Sequence, residues 1–242
     1  MSSRDEMLGT IRNVLKTQEK GASFTAESRL PPPIVDIMPP IPPGELAERF
    51  ESALQSLGCN PYQASTLEGL EETLCSILEQ TKIGSVVLSR NPILDQLQLG
   101  SLLGNRGIRV VGWPAGTEEP KAGSSFRDEC FAAGAGITGV DFALAETGSL
   151  VLTSATEGSQ LASLAPPVHI ALYRRSQLRA TLDEVLQHLP VSRDPGQASP
   201  ARSVVFVSGT SRTADIEQIL VRGVHGPRSV HAILVEESCL QG

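Results

Sequence analysis

"SVVFVSGTSRTADIEQILVRGVHGPRSVHAILVE", residues 203–236, decides how this chain is read. Two apolar runs, 204–207 and 230–235, flank a segment in which Ile216, Ile219, Leu220 and Gly223 recur at helical spacing. The pattern is that of strand, turn, helix, turn, strand. Val204 to Val207 is apolar on both faces, which places that strand in the middle of a sheet covered on both sides. Thr213 fits the start of the helix 214–222, Asp215 suits its first turn, Gly223 suits a left-handed end and Pro227 stops it from continuing.

The first turn carries Ser208, Thr210, Ser211, Arg212 and Thr213 within six residues. In open α/β sheets ligands lie beyond the carboxyl ends of the strands, on turns of this kind. Hydroxyls, a guanidinium and free amides make a cradle for a carboxylate or phosphate. Asp215 and Glu217 weaken that field, and Arg212 can equally pair with Asp215, so the turn reads as an anion site or as a helix cap. His225, between Gly223 and Gly226, belongs to the other end of the helix. Nine helical residues span about 13 Å, so a small ligand on Arg212 would not reach it. His225 is a ligand residue or the hydrogen-bonded centre of a glycine-rich turn.

Outward from this stretch the text keeps the same rhythm. "IGSVVLS" (83–89), "IRVVGW" (108–113), "VDFALAE" (140–146), "SLVLTS" (149–154) and "HIALY" (169–173) read as strands. Helical patterns occupy 45–57, 67–80, 93–104, 159–164 and 180–188. This alternation predicts an α/β fold, a mostly parallel sheet with helices on both sides. Residues 5–17 form an amphipathic helix, followed by seven prolines between Pro31 and Pro43 that make an extended strap. The expected organisation is an N-terminal helix and proline-rich linker over 1–44 and one domain over 45–242.

Composition narrows the function. With 20 basic and 27 acidic residues the net charge is −7, the wrong sign for a phosphate-backbone binder, and nucleic acid is not an expected partner. No apolar run approaches the roughly 20 residues of a membrane span, and no signal-peptide pattern is seen, so a cytoplasmic location is expected. Cys59, Cys75, Cys130 and Cys239 stand apart, as do the four histidines, and neither makes a metal-ligand pair. No metal and no cofactor is expected.

A second polar cluster lies in "GITGVDFALAETGSLVLTSATEGSQLA", residues 136–162. Glu146-Thr147-Gly148 interrupts two apolar runs, with Gly148 supplying the positive φ of a tight turn. Glu146 is a solvated loop residue, or a carboxylate held rigidly for use as a base or nucleophile. Glu157-Gly158 follows. In a plain hairpin Glu146 and Gly158 end on opposite sides of the sheet, about 17 Å apart at about 3.3 Å per residue, and only a bulge or a looped excursion after Gly148 would unite them.

"GITGVDFALAETGSLVL", "EGSQLASLAPPVHIAL" and "SGTSRTADIEQILVRGVHGP", in that order, resemble the LUD-domain family of lactate utilisation proteins, and more closely its cluster-free branch, lactate utilisation protein C. The resemblance covers about residues 45–242. It implies a three-layer α/β sandwich of the class shared by glucosamine-6-phosphate deaminase, ribose-5-phosphate isomerase and CoA transferases. It also implies a role in oxidising L-lactate to pyruvate beside iron–sulfur partner proteins. By order along the chain Glu146 matches the strand-end carboxylate of that class. "TSATEGSQ" has no lysine, which argues against sugar-phosphate isomerisation. Its Thr156-Glu157-Gly158-Ser159 keeps the centre of an Asn-Glu-Gly-Asn-like run.

Three functions follow from this reading. The favoured one is a subunit of the lactate-oxidising system that binds a small anionic ligand. The others are an independent CoA-transferase-like or isomerase-like enzyme using Glu146, and a non-catalytic metabolite-binding module. The candidate site is Glu146 as catalytic carboxylate, with Thr147, Gly148, Glu157, Gly158, Ser211, Arg212, Thr213, Asp215 and His225 as ligand contacts.

Overall fold

The structure, a computed structural model, describes residues 7–10, 12, 40–114, 119–190, 200–214, 220–222 and 226–240. Contacts divide the chain into Met1–Pro40 and Ile41–Gly242. Of the first unit, residues 7–10 and 12 are helical; the remainder of the expected helix 5–17 and most of the proline strap lie outside the described residues.

The second unit is built on six strands that pair in parallel throughout. They are β1 (Asn60–Ala64), β2 (Ser85–Leu88), β3 (Arg109–Gly112), β4 (Ala135–Thr138), β7 (Val168–Tyr173) and β12 (Ser229–Val235), in the order β1-β12-β7-β4-β2-β3. Strands buried on both faces read as mainly apolar runs, as β7 does apart from His169. β1 is an edge strand, where Pro61 lacks an amide and costs the sheet little.

Each face of the sheet has its own cover. On one, Val86, Leu88, Ile137, Ile170, Leu172 and Ile233 meet α2 (Leu67–Gln80), α3 (Pro92–Gln96) and α4 (Leu99–Asn105). On the other, Ala171, Tyr173, Ala232 and Leu234 meet α1 (Leu46–Ser56) through Phe50 and Leu54, while Val87 meets α5 (Glu119–Ala132) and α7 (Leu161–Leu164). This second layer also holds a smaller sheet, β8-β5-β6-β9, made of β5 (Phe142–Leu144), β6 (Ser149–Thr153), β8 (Leu178–Arg179) and β9 (Val204–Val207). Its inner residues Ala143, Leu150, Leu152 and Val207 pack on the parallel sheet; its outer Phe142, Leu144 and Val151 are met by Val185 of α8 (Leu182–His188). The chain is thus the expected α/β fold in three layers around a mostly parallel sheet.

Several local expectations are corrected. Helix 93–104 is broken into α3 and α4 at Gln98, whose φ of 49° is left-handed. Strands 140–146, 149–154 and 204–208 leave the parallel sheet for the smaller one, where β5 and β9 both run antiparallel to β6. β9 is not central but an edge. It is apolar on both faces because Val205 and Val207 face the core while Val204 faces the α8 side, and Phe206 remains 41 % exposed. Of the expected helix 214–222, residues 215–219 lie outside the described residues and the two described ends are strand. Arg212–Ala214 (β10) and Leu220–Arg222 (β11) pair antiparallel instead. Thr213 and Val221, paired across the two strands, are β-branched and suit a pleated pair. Thr213 lies inside β10 rather than at its end.

Among the described residues no helix is long and apolar enough to cross a membrane, and no cluster of His, Cys, Asp and Glu could hold a metal ion.

Candidate functional site

β2 and β4 are neighbours whose chains leave the sheet on opposite sides. After β2 the chain turns onto the face of α3 and α4 to reach β3; after β4 it turns onto the other face through β5, β6, α6 (Ser154–Glu157) and α7 before β7. Such a reversal opens a crevice beyond the carboxyl ends of the strands, the place where open α/β sheets bind ligands. Ser89, Arg90 and Asn91 enter it from β2, Trp113 from β3 and Asp141 from β4. The antiparallel return of β6 brings Thr156, Glu157 and Gly158 back over the same end.

A polar network floors the crevice. Asn91 Nδ2 donates to Glu157 Oε1 across 2.5 Å, and Asn91 Oδ1 accepts from the Ile93 amide at 3.2 Å, capping α3 ahead of Pro92. Asp141 Oδ2 accepts from the Thr153 amide at 2.7 Å and from the Thr156 hydroxyl at 3.0 Å. The Arg90 amide donates to the Glu157 carbonyl at 3.1 Å, and its Nη2 donates to the Ala155 carbonyl at 2.6 Å. These bonds fasten the loop after β2 to the end of β6.

Glu157 is fully buried, and its Oε2 has no hydrogen-bond partner among the described residues. Burial disfavours the carboxylate and pushes its pKa up to about 7. The Ser89 hydroxyl and the Asn91 amide oppose that rise, and the charge of Asp141 adds to it. Ser89 lies near enough to favour the charged form without meeting Oε2 in hydrogen-bond geometry. Asp141 is also raised by burial, with the Thr156 and Thr153 hydrogen bonds pulling it back.

Above this floor two adjoining cavities share Arg90 and Trp113. One, of about 270 Å³, is lined by Leu88, Ser89, Leu94, Asp95, Gly112 and Pro114 as well. The other, of about 200 Å³, adds Ser154, Gly158, Pro200 and Arg202. Trp113 packs edge-on against Phe126 with centroids 5.0 Å apart. Its ring presses on Gly158, whose φ is 72° and where a Cβ would come within 2.9 Å of the indole. Only glycine meets both demands. Among the described residues neither Arg90 nor Arg202 forms an ion pair.

Of the residues expected from sequence, Glu157 and Gly158 lie here. Glu146, Thr147 and Gly148 lie at the opposite end of the β5–β6 hairpin, five strand residues away, about 17 Å at about 3.3 Å per residue. Glu146 Oε1 accepts from the Leu182 amide at 2.9 Å, at the start of α8. Gly148 makes the expected tight turn with φ 65° and lies against the backbone of Leu54. That turn does join the 208–213 segment: Ser149 Oγ bonds Thr147 Oγ1 at 2.8 Å and Ser208 Oγ at 2.6 Å. The Ser211 amide donates to the Pro227 carbonyl. The backbones of Arg212 and Thr213 lie in β10, and Asp215 and His225 lie outside the described residues.

Sequence reasoning missed Ser89, Arg90, Asn91, Trp113, Asp141 and Arg202. One signal was present. "SRNP" follows the apolar run of β2, and an Asn-Pro pair after a strand marks a capped helix at a strand-to-helix turn.

The chain is thus an α/β domain built on an open parallel sheet, whose switch-point crevice carries two guanidiniums above a buried carboxyl group. The family model for the LUD domain matches residues 47–235, and the chain belongs to that family. A lactate utilization protein C from Halalkalibacterium halodurans is 32 % identical over 171 residues, covering 71 % of each chain. Another lactate utilization protein C, from a Geobacillus species, is 27 % identical over 239 residues and covers 97 % of this chain and 96 % of its own. The crystal structure of a DUF162 family protein from Deinococcus radiodurans shares the fold, with a TM-score of 0.57 and 24 % identity over 81 % of this chain and 99 % of that one.

Proposed function

We propose that this chain serves a cytoplasmic lactate-utilisation system, the role its relatives are named for, by binding a small carboxylate or phosphate in the β2–β4 crevice. The observation that carries this reading is the pair Arg90 and Arg202 on one cavity, neither in an ion pair among the described residues. A guanidinium is a planar fork of donors that matches the oxygens of such anions. Gly158 lets the ligand approach the backbone. Glu157 lies behind Ser89 and Arg90, near neutrality between its two protonation states, as a proton donor or acceptor needs to be.

The same reading assigns the electrons of lactate oxidation to iron–sulfur partner proteins, as the family resemblance implies. The test is the Arg90→Ala, Arg202→Ala double variant. It is expected to fold normally by circular dichroism, to lose at least tenfold in calorimetric affinity for phosphate, pyruvate or lactate, and to fail to restore growth on L-lactate to cells lacking the chain. A folded double variant that binds and complements like the parent would refute the reading.

A further inference from the structure

The crevice offers more room, and a different kind of room, than a three-carbon acid uses. Such a molecule fills the volume of three or four waters, roughly 100 Å³ at about 30 Å³ each. Ligand pockets begin at about 300 Å³. Neither cavity reaches that size alone, but the two adjoin and together exceed it. Their linings differ. The smaller holds both guanidiniums with Ser154 and Gly158. The larger is walled by Leu88, Leu94, Gly112, Trp113 and Pro114, with Ser89, Asp95 and the shared Arg90 as its polar groups. The half-buried indole of Trp113 belongs to both.

We infer that the natural ligand is bipartite: a planar ring system seated beside Trp113 in the larger cavity, carrying one anionic group held by Arg90 and Arg202 in the smaller. This rests on the proposed anion site and extends it. An aromatic wall favours a flat partner through stacking or edge contacts. Asp95, at the rim of the apolar half, accepts a hydrogen bond from a ring amine or hydroxyl. Arg90, which lines both cavities, sets the ring's orientation relative to the anionic group.

Trp113 is the only tryptophan in the chain, so its emission reports on the seam between the cavities. The full-length protein is titrated with adenosine monophosphate (ring and phosphate), nicotinate (ring and carboxylate), adenosine (ring alone), inorganic phosphate and lactate. At least one ring-bearing anion is expected to change Trp113 emission saturably and to bind at least tenfold more tightly than phosphate, lactate or adenosine. Preference between the first two identifies the anionic group. Arg202→Ala should weaken that ligand at least tenfold. Arginine-dependent binding of phosphate or lactate with no gain from either ring would overturn the bipartite ligand and leave the anion site standing. Absence of arginine-dependent binding by any probe would remove both.

Discussion

Asn91 and Glu157 stand 66 positions apart in the chain and are joined by a 2.5 Å hydrogen bond from Nδ2 to Oε1. This bond ties the turn after β2 to the end of α6, so the two sides of the crevice cannot separate without breaking it. It also satisfies only one carboxylate oxygen. A buried charge with an unpaired oxygen is unstable, and the group responds by holding its proton to higher pH.

The consequence is a stability difference with a defined sign. Glu157 titrates near 4.5 when unfolded and at about 7 when folded, so the folded state binds the extra proton. The stability it contributes is present below about pH 4.5 and is lost as pH rises through 7, by about 3 kcal/mol in all. Glu157→Gln imitates the protonated acid at every pH. Urea denaturation should find this variant close to the parent at pH 5 and more stable than it by about 3 kcal/mol at pH 8. An equal offset at both pH values would mean that Glu157 is charged throughout.

Two glycines should respond in opposite ways to one added methyl. At Gly136 a Cβ would come within 1.7 Å of the Ala162 carbonyl oxygen, a backbone atom of α7 packed on β4. Gly136→Ala must push α7 off the sheet, at a cost above about 3 kcal/mol, or fail to fold. Gly100 lies in α4 with nothing within 4 Å of its Cβ position. Gly100→Ala should stabilise by about 0.5–1 kcal/mol through helix propensity. Thermal melts of the two variants check both directions.

Glu146 and the crevice should prove separable. Its Oε1 accepts the Leu182 amide, an otherwise unpaired donor in the first turn of α8. Glu146→Ala is expected to lower stability by about 1 kcal/mol and to leave phosphate and carboxylate affinity unchanged. A variant that keeps its stability but loses ligand binding would return Glu146 to the site.

The contrast between Glu146 and Glu157 shows what the sequence could and could not carry. Mainly apolar runs marked β2, β7 and β12, because burial on both faces leaves few polar positions, His169 and His231 among them, to confuse the pattern. α2 was legible to the residue, with Thr66 capping Gly69 at its start. β4 was not, since "AGIT" holds a glycine at 136, where α7 packs directly on the strand, in place of a residue with strand propensity. β9 resembled a central strand because two different cores touch its two faces. Glu157 and Gly158 were found as a pair, but Asn91, Asp141, Trp113 and Arg202 come from four other segments. They meet only because β2 and β4 send their chains to opposite faces, a fact of sheet order that no local spacing records.

Two buried histidines set the acid limit of the fold. His169 is fully buried in β7, bonded through Nε2 to the Thr138 hydroxyl at 2.8 Å, with Nδ1 unpartnered among the described residues. Burial pushes its pKa from 6.5 down to about 4, with a smaller repulsion from His231. His231, between Tyr62 and Ser229, is depressed to about 4 by burial alone. Both are neutral when folded and bind protons when unfolded. Their stabilising effect is therefore complete above about pH 6.5 and is lost as pH falls to about 4, roughly 3 kcal/mol for His169. Glu157 acts in the opposite sense over an overlapping range, so a single variant is needed to isolate the term. His169→Gln keeps a partner for Thr138 and removes the titration. Between pH 7 and pH 4 it should lose about 3 kcal/mol less stability than the parent in urea denaturation. Parallel losses in the two proteins would show that His169 already carries its proton in the folded state.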